Sequence, residues 1–111
     1  MAVPRGLPEV GRVVEVVQGR DNGLYAVVIG HADKRFVLIA DGRMRRAEKP
    51  KRKNVLHIRG TSYVALEVVE ALRTEGKITN AQLKHALRLY HETQQSASTG
   101  NEERGVPNGK G

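Results

Sequence analysis

Between Arg43 and Arg59 the chain carries eight Lys or Arg residues: Arg43, Arg45, Arg46, Lys49, Lys51, Arg52, Lys53 and Arg59. Glu48 is the one acid in that stretch, and His57 stands among the cations. Like charges at this density repel one another when held on one surface. A phosphate backbone relieves the repulsion and releases its condensed counterions. Arg can grip a phosphate through two parallel hydrogen bonds, whereas Lys acts as a point charge. If about five of these residues meet phosphates, log K falls with log salt at a slope of about −3.5. The competing reading is a solvated basic loop that keeps the protein soluble. The local density favours a polyanionic partner.

A second candidate is the segment Gln18-Gly19-Arg20-Asp21-Asn22-Gly23. Gly19 and Gly23 allow a sharp turn and, without side chains, let backbone approach a phosphate or a base. Arg20 and Asn22 would supply donors, and Asp21 could hold the loop by accepting from its own backbone amides. Arg12, ahead of the loop, adds a further cation. An ordinary hairpin loop explains the glycine spacing equally well.

Catalytic patterns are missing. His31, His57, His85 and His91 are scattered, and none has metal-pair spacing with a nearby acid or Cys. His85 and His91 are six apart, which predicts different faces of a helix. Glu67 and Glu70 share a face that reads as solvated. No Walker-type loop or Ser-His-Asp order occurs. With no Cys there is neither a disulfide framework nor a thiolate metal site, in keeping with a reducing cytoplasm. The expectation is a non-enzyme with no cofactor and no metal.

Charge and aromatic content narrow the partner. Residues 1–60 hold 13 Lys or Arg against 6 Asp or Glu, while residues 61–111 hold 6 of each, so the net +7 belongs to the first part. Such asymmetry points to nucleic acid or an acidic membrane. A membrane is disfavoured, because the basic segment reads as lacking exposed apolar anchors. The longest apolar runs, about six residues, fall far short of a span of about 20. Residues 1–8 lack the apolar core of a signal peptide. One Phe, three Tyr and no Trp are few platforms for stacking single-stranded bases. Phe36 reads as core, Tyr25 as exposed, and Tyr63 and Tyr90 as packing between helices and sheet. This scarcity favours shape and phosphate recognition of folded RNA, and it disfavours a methyl-lysine cage, which needs clustered aromatics.

The elements that must position these residues are readable. Val- and Ile-rich runs at Arg12–Val17, Leu24–Gly30 and Arg35–Ala40 end at turn signals and read as strands. Asp41-Gly42 predicts a tight hairpin, followed by a short strand near Met44–Glu48 that Pro50 interrupts. Asn54–Arg59 reads as a fifth strand. Short strands joined by short turns suggest a small barrel. Val27-Val28-Ile29 and Phe36-Val37-Leu38-Ile39 do not alternate, so both sheet faces must be covered. The cover is a helix capped by Thr61 or Ser62 and running to Glu75, with a stripe of Leu66, Val69 and Leu72 beside Ala65 and Val68. Gly76 closes it. A second helix opens on the capping box Thr79/Gln82 and the staple Ile78/Leu83, with Leu83, Ala86, Leu87 and Tyr90 on its apolar face.

The segment from Val10 to Gly23, with Leu24–Gly30 after it, closely resembles a KOW motif. Further matches are Asp41-Gly42-Arg43, Glu48 through His57, Ile78-Thr79-Asn80-Ala81, and Ala86-Leu87. Together they resemble the bacterial KOW-domain RNA-binding proteins, which are similar to the eukaryotic and archaeal ribosomal protein L-fourteen-e. The resemblance covers roughly Val10 to Tyr90. It implies an SH3-like barrel and association with RNA or the ribosome. Leu24 departs from it by standing where a Lys or other polar residue is expected.

The resulting expectation is a mainly β chain with C-terminal α structure. A flexible N-terminus (1–8) precedes a KOW or SH3-like barrel (9–59), a helical hairpin (60–94) packed on it and a disordered tail (95–111). The expected partner of the basic segment and glycine loop is structured ribosomal RNA, with ribosomal proteins as secondary candidates. The protein would be cytoplasmic, ribosome-associated and monomeric when free. The competing reading is a KOW-type protein-interaction module acting in transcription or translation.

Overall fold

β-branched residues dominate the first three runs and favour extended backbone. In the computed structural model, which describes residues 7–102, they form β1 (Arg12–Val16), β2 (Tyr25–Asp33) and β3 (Phe36–Ala40). β4 (Lys51–Asn54), a 3-10 turn (Val55–His57) and β5 (Ile58–Val64) follow, then α1 (Leu66–Glu75) and α2 (Asn80–Glu102). The five strands make one antiparallel sheet in the order β4-β3-β2-β1-β5.

The register explains why the strands do not alternate. Val13 lies opposite Val27, and Val27 opposite Ala40. These three face the helices and share a core with Ala65, Val68, Ala71, Ile78, Leu83, Ala86, Leu87 and Tyr90. Val14 lies opposite Ala26, and Val28 opposite Ile39. Those residues point to the other face and form a second core with Leu7, Val16 and Val37. Neighbouring residues alternate in direction but both directions are dry, as expected of a sheet covered on both sides.

Several local expectations are corrected. β2 runs on to Asp33, with irregular pairing between Val28 and Gly30. The tight hairpin at Asp41-Gly42 and the strand at Met44–Glu48 are replaced by an irregular connection spanning residues 41–50. Asp41 is buried there, and its Oδ1 accepts the amides of Arg43 (3.2 Å) and Arg45 (2.7 Å). Amides held by a side chain cannot join a ladder. The fifth strand begins at Ile58 and extends to Val64, so Thr61 and Ser62 belong to the sheet and do not cap α1. Long-range pairing with β1 decides this, and the Thr61 hydroxyl donates to the Val13 carbonyl (2.8 Å).

The α1 stripe is also turned. Ala65 and Val68 of the expected stripe are buried together with Ala71, Val69 and Leu72 are half-buried, and Leu66 is 69% exposed. Gly76 ends α1 in the left-handed conformation, φ +73°. The Thr79/Gln82 capping box forms in both directions, at 2.9 and 3.1 Å. α2 continues to Glu102, beyond the expected end at residue 94, so the segment from Gln95 to Glu102 is helical. Residues 103–111 of the expected tail, and 1–6 of the lead-in, lie outside the described residues. Leu7 is buried and the Pro8 carbonyl accepts from His31 Nε2 (2.8 Å), so the end of the lead-in is anchored.

The two helix faces predict unequal costs of truncation. Leu83→Ala, at a fully buried site, should cost about 2–5 kcal/mol in urea unfolding. Leu66→Ala should change stability by no more than about 0.5 kcal/mol. The reverse ranking would restore the stripe read from the sequence.

Candidate nucleic-acid interface

The glycine loop joins β1 to β2 and is closed by its own backbone. The Gly23 amide donates to the Val16 carbonyl (2.7 Å), and the Leu24 amide to the Asp21 carbonyl (2.8 Å). Gly19 and Gly23 have φ of +96° and +95°, which L side chains rarely adopt. Leu24, the departure from the KOW pattern, packs against the second core, so its position is one of burial. Arg20 and Asn22 are exposed. Asp21 accepts from the guanidinium of Arg45 (Nε to Oδ2, 2.8 Å) and its side chain is only 8% exposed. That bond, with desolvation opposing it and the charges of Lys53 and Lys51 assisting, holds the Asp21 carboxyl below the usual carboxylate range. Asp21 therefore ties the loop to the basic segment instead of bonding its own amides.

The 41–50 connection is fixed from two sides. Asp41 holds it from within. From without, the Ala47 amide donates to Asn80 Oδ1 (2.8 Å) and Asn80 Nδ2 donates to Glu48 (2.9 Å). A Cβ on Gly42 would lie 2.5 Å from the Asn80 carbonyl oxygen, so glycine permits this close approach of the first turn of α2. Asn80 and Asp41 are positioning residues that the residue types around them did not reveal.

Tertiary structure sorts the expected cations. Arg45 is paired with Asp21, Arg46 with Glu48 (3.1 Å), Arg52 with Asp33 (3.1 Å) and Arg59 with Glu15. The expectation that Glu48 alone opposes the cluster is thereby corrected, since Asp21 arrives from the glycine loop, and Asp33 and Glu15 from β2 and β1. Arg52 also lies 3.8 Å over the Phe36 ring, and Phe36 is only half-buried. Lys53 is buried, and a Cβ on Gly19 would be 2.8 Å from its Nζ. It lies opposite Val37 of the second core, and its amine reaches the loop. Arg12 sits at the opposite end of β1, bound to Glu9 (2.8 Å) and to the Thr61 carbonyl (2.8 Å), so it belongs to the fold and leaves the site. His57 lies in the 3-10 turn, where its carbonyl accepts from Val17 beside the loop. Among the described residues, Arg20, Arg43, Lys49 and Lys51 have no carboxylate partner.

No family model matches this chain, and a search of the curated proteins finds no match. Among the described residues no three of His, Asp and Glu come together in a way that could hold a metal ion. Among the described residues no helix is long and apolar enough to cross a membrane.

Two further corrections concern α2. All three tyrosines gather in one cluster with His91: Tyr25 to Tyr90 at 5.7 Å, Tyr63 to Tyr90 at 5.5 Å and Tyr25 to His91 at 5.3 Å between ring centroids. The few aromatics are therefore concentrated. His85 and His91, expected on different faces, both border one wide groove together with Lys84, Arg88 and Arg43. The neutral second half of the sequence thus contributes cations to the same side of the molecule as the glycine loop.

The Asp21–Arg45 pair should be visible in pH-dependent stability. A lowered carboxylate pKa adds stability that is complete above the unfolded value of about 3.9 and fades as pH falls through the lower folded value. Asp21→Asn should cost about 1–2 kcal/mol at pH 7. The gap between variant and wild-type urea midpoints should close toward pH 3. A gap independent of pH would mean that the charge of Asp21 does not hold the loop.

Proposed function

We propose that this chain is a non-catalytic RNA-binding protein, ribosomal or ribosome-associated, whose site is the joined glycine loop and basic connection. The observation that carries this is the Asp21–Arg45 contact (2.8 Å), which unites two segments 24 residues apart into one surface. Exposed Arg20, Arg43 and Lys49 and half-buried Lys51 surround it without carboxylate partners among the described residues. Four such cations clamp phosphates, and the loop backbone, left without a side chain at Gly23, approaches between them. The paired arginines Arg45, Arg46, Arg52 and Arg59 hold the scaffold and can exchange a carboxylate for a phosphate only at the loss of the first bond.

An SH3-like barrel of the KOW type is the fold reading that goes with this function. Supporting it are burial on both sheet faces, the pairing of β5 with β1, and the 3-10 turn that joins the edge strands β4 and β5. The resemblance over roughly Val10 to Tyr90 to the KOW-domain RNA-binding proteins supplies the ribosomal context.

An anionic membrane is the nearest rival. Contrary to the sequence expectation, the basic segment has exposed apolar side chains, Met44 (73%) and Leu56 (76%). They stand on separate elements, one in the 41–50 connection and one in the 3-10 turn, whereas interfacial binding needs a continuous apolar face. Lys and Arg on the edge strand β4 also discourage strand pairing between molecules, a structural role compatible with the functional one.

Binding to a ribosomal RNA fragment across a salt series tests the clamp. Four phosphate contacts predict a slope of log K against log salt of about −3. Arg43→Glu with Lys49→Glu and Lys51→Glu should reduce it to shallower than about −1. An unaltered slope, or tighter binding to phosphatidylserine vesicles than to RNA, would overturn the reading. Gly19→Val should weaken RNA binding while the strands remain folded, because the new side chain displaces the Lys53 amine and strains the loop by about 1–3 kcal/mol.

A further inference from the structure

A groove of about 790 Å³ lies between the glycine loop and α2, within the size range of small-molecule sites. Gly23, Tyr25 and Arg43 border it on the sheet side, and Lys84, Arg88 and His91 on the helix side. Lys84, Arg88 and His91 follow at i, i+4 and i+7, so they form one stripe along α2. Arg43 and Lys84 have no carboxylate partner among the described residues, whereas Arg88 donates to His85 Nδ1 (2.8 Å) and stands 3.9 Å from the carboxylate of Glu92, which also borders the groove. Asp41 also borders the groove, but its Oδ1 is engaged by the amides of Arg43 and Arg45.

Aromatic surface lines the same groove. Tyr25 and His91 meet edge to face at an interplanar angle of 79°. Behind them Tyr90 is buried, at 6% exposure, and leans on Tyr63. Tyr25 is therefore braced, and His91, an exposed residue, also leans its ring on Tyr90 (5.2 Å). A Cβ on Gly23 would meet nothing within 4 Å, so entry beside the loop is open.

Cations that suit a phosphate stand here beside rings that suit a base. A paired A-form stem offers phosphates but keeps its bases stacked inside, whereas a bulge or loop presents a free base face. We propose that this groove receives one unpaired nucleotide of the bound RNA. Its base lies against Tyr25 and His91, and its phosphate is held by Arg43, Lys84 and Arg88. The proposal rests on the RNA-binding reading and adds to it a preference for RNA with a flipped-out nucleotide, which the scarcity of aromatics alone argued against.

Fluorescence anisotropy with two labelled RNA hairpins tests it. The hairpins share one stem and a sealed tetraloop, and one carries a single bulged adenosine. The wild-type chain should bind the bulged hairpin about 10-fold more tightly, the order expected for one base stacked on aromatic side chains. His91→Ala, on an exposed side chain, and Tyr25→Leu, checked for folding by circular dichroism, should each reduce that preference below about 3-fold without weakening binding to the paired hairpin. If Tyr25→Leu does not fold, His91→Ala decides. Equal wild-type binding to both hairpins, or a full preference retained in His91→Ala, would overturn the groove assignment and leave the electrostatic clamp intact. Displacement of the bulged hairpin by polyglutamate as readily as by polyadenylate of equal charge would overturn it too, by making the groove a slot for any anion. Failure of the wild type to bind either hairpin would instead overturn the RNA reading itself.

Discussion

Both faces of the sheet are occupied by packing. Val13, Val27 and Ala40 lie beneath the helices, while Val14, Ala26, Val28 and Ile39 lie in the opposite core. Backbone groups inside the sheet are engaged in the ladders, and the apolar side chains at its centre are dry on either side. Recognition is left to the strand connections, the edge strands and the outer side of α2. The two connections richest in charge or glycine, residues 17–24 and 41–50, are the ones brought together there.

Their union depends on polar contacts over long sequence distances. Asp21 reaches Arg45, and Asn80 reaches Ala47 and Glu48. A carboxylate as buried as that of Asp21 requires a partner, because an unpaired charge in that position would be costly. Each contact therefore removes alternatives for the loop it holds. The same contacts reduce the available charge, since four of the eight cations between Arg43 and Arg59 face a carboxylate. What remains is a smaller set of free cations held on a rigid frame, and rigidity lowers the ordering cost of binding.

α2 links stability and surface. Its apolar face, Leu83, Ala86, Leu87 and Tyr90, closes the first core. The stripe of Lys84, Arg88 and His91 faces the groove. Gly42 and Asn80 let the first turn of α2 press on the 41–50 connection, so the position of the helix and the shape of the basic surface are set by one contact.

The Val-rich strands, the Thr79/Gln82 capping box, the Gly76 stop and the apolar face of α2 follow from the sequence alone, because each depends on residues within a few positions of one another. The location of the charge and the glycines of the loop are equally local. Tertiary structure decided the rest. Asp33 meets Arg52 across 19 residues and Glu15 meets Arg59 across 44, so no local reading separates paired cations from free ones. Pairing of β5 with β1 drew Thr61 and Ser62 into a strand, and α1 then buried Ala71 beside Val68 and left Leu66 exposed. Three tyrosines spread from residue 25 to residue 90 became one cluster for the same reason: their neighbours are chosen by packing, which the order of residues along the chain does not display.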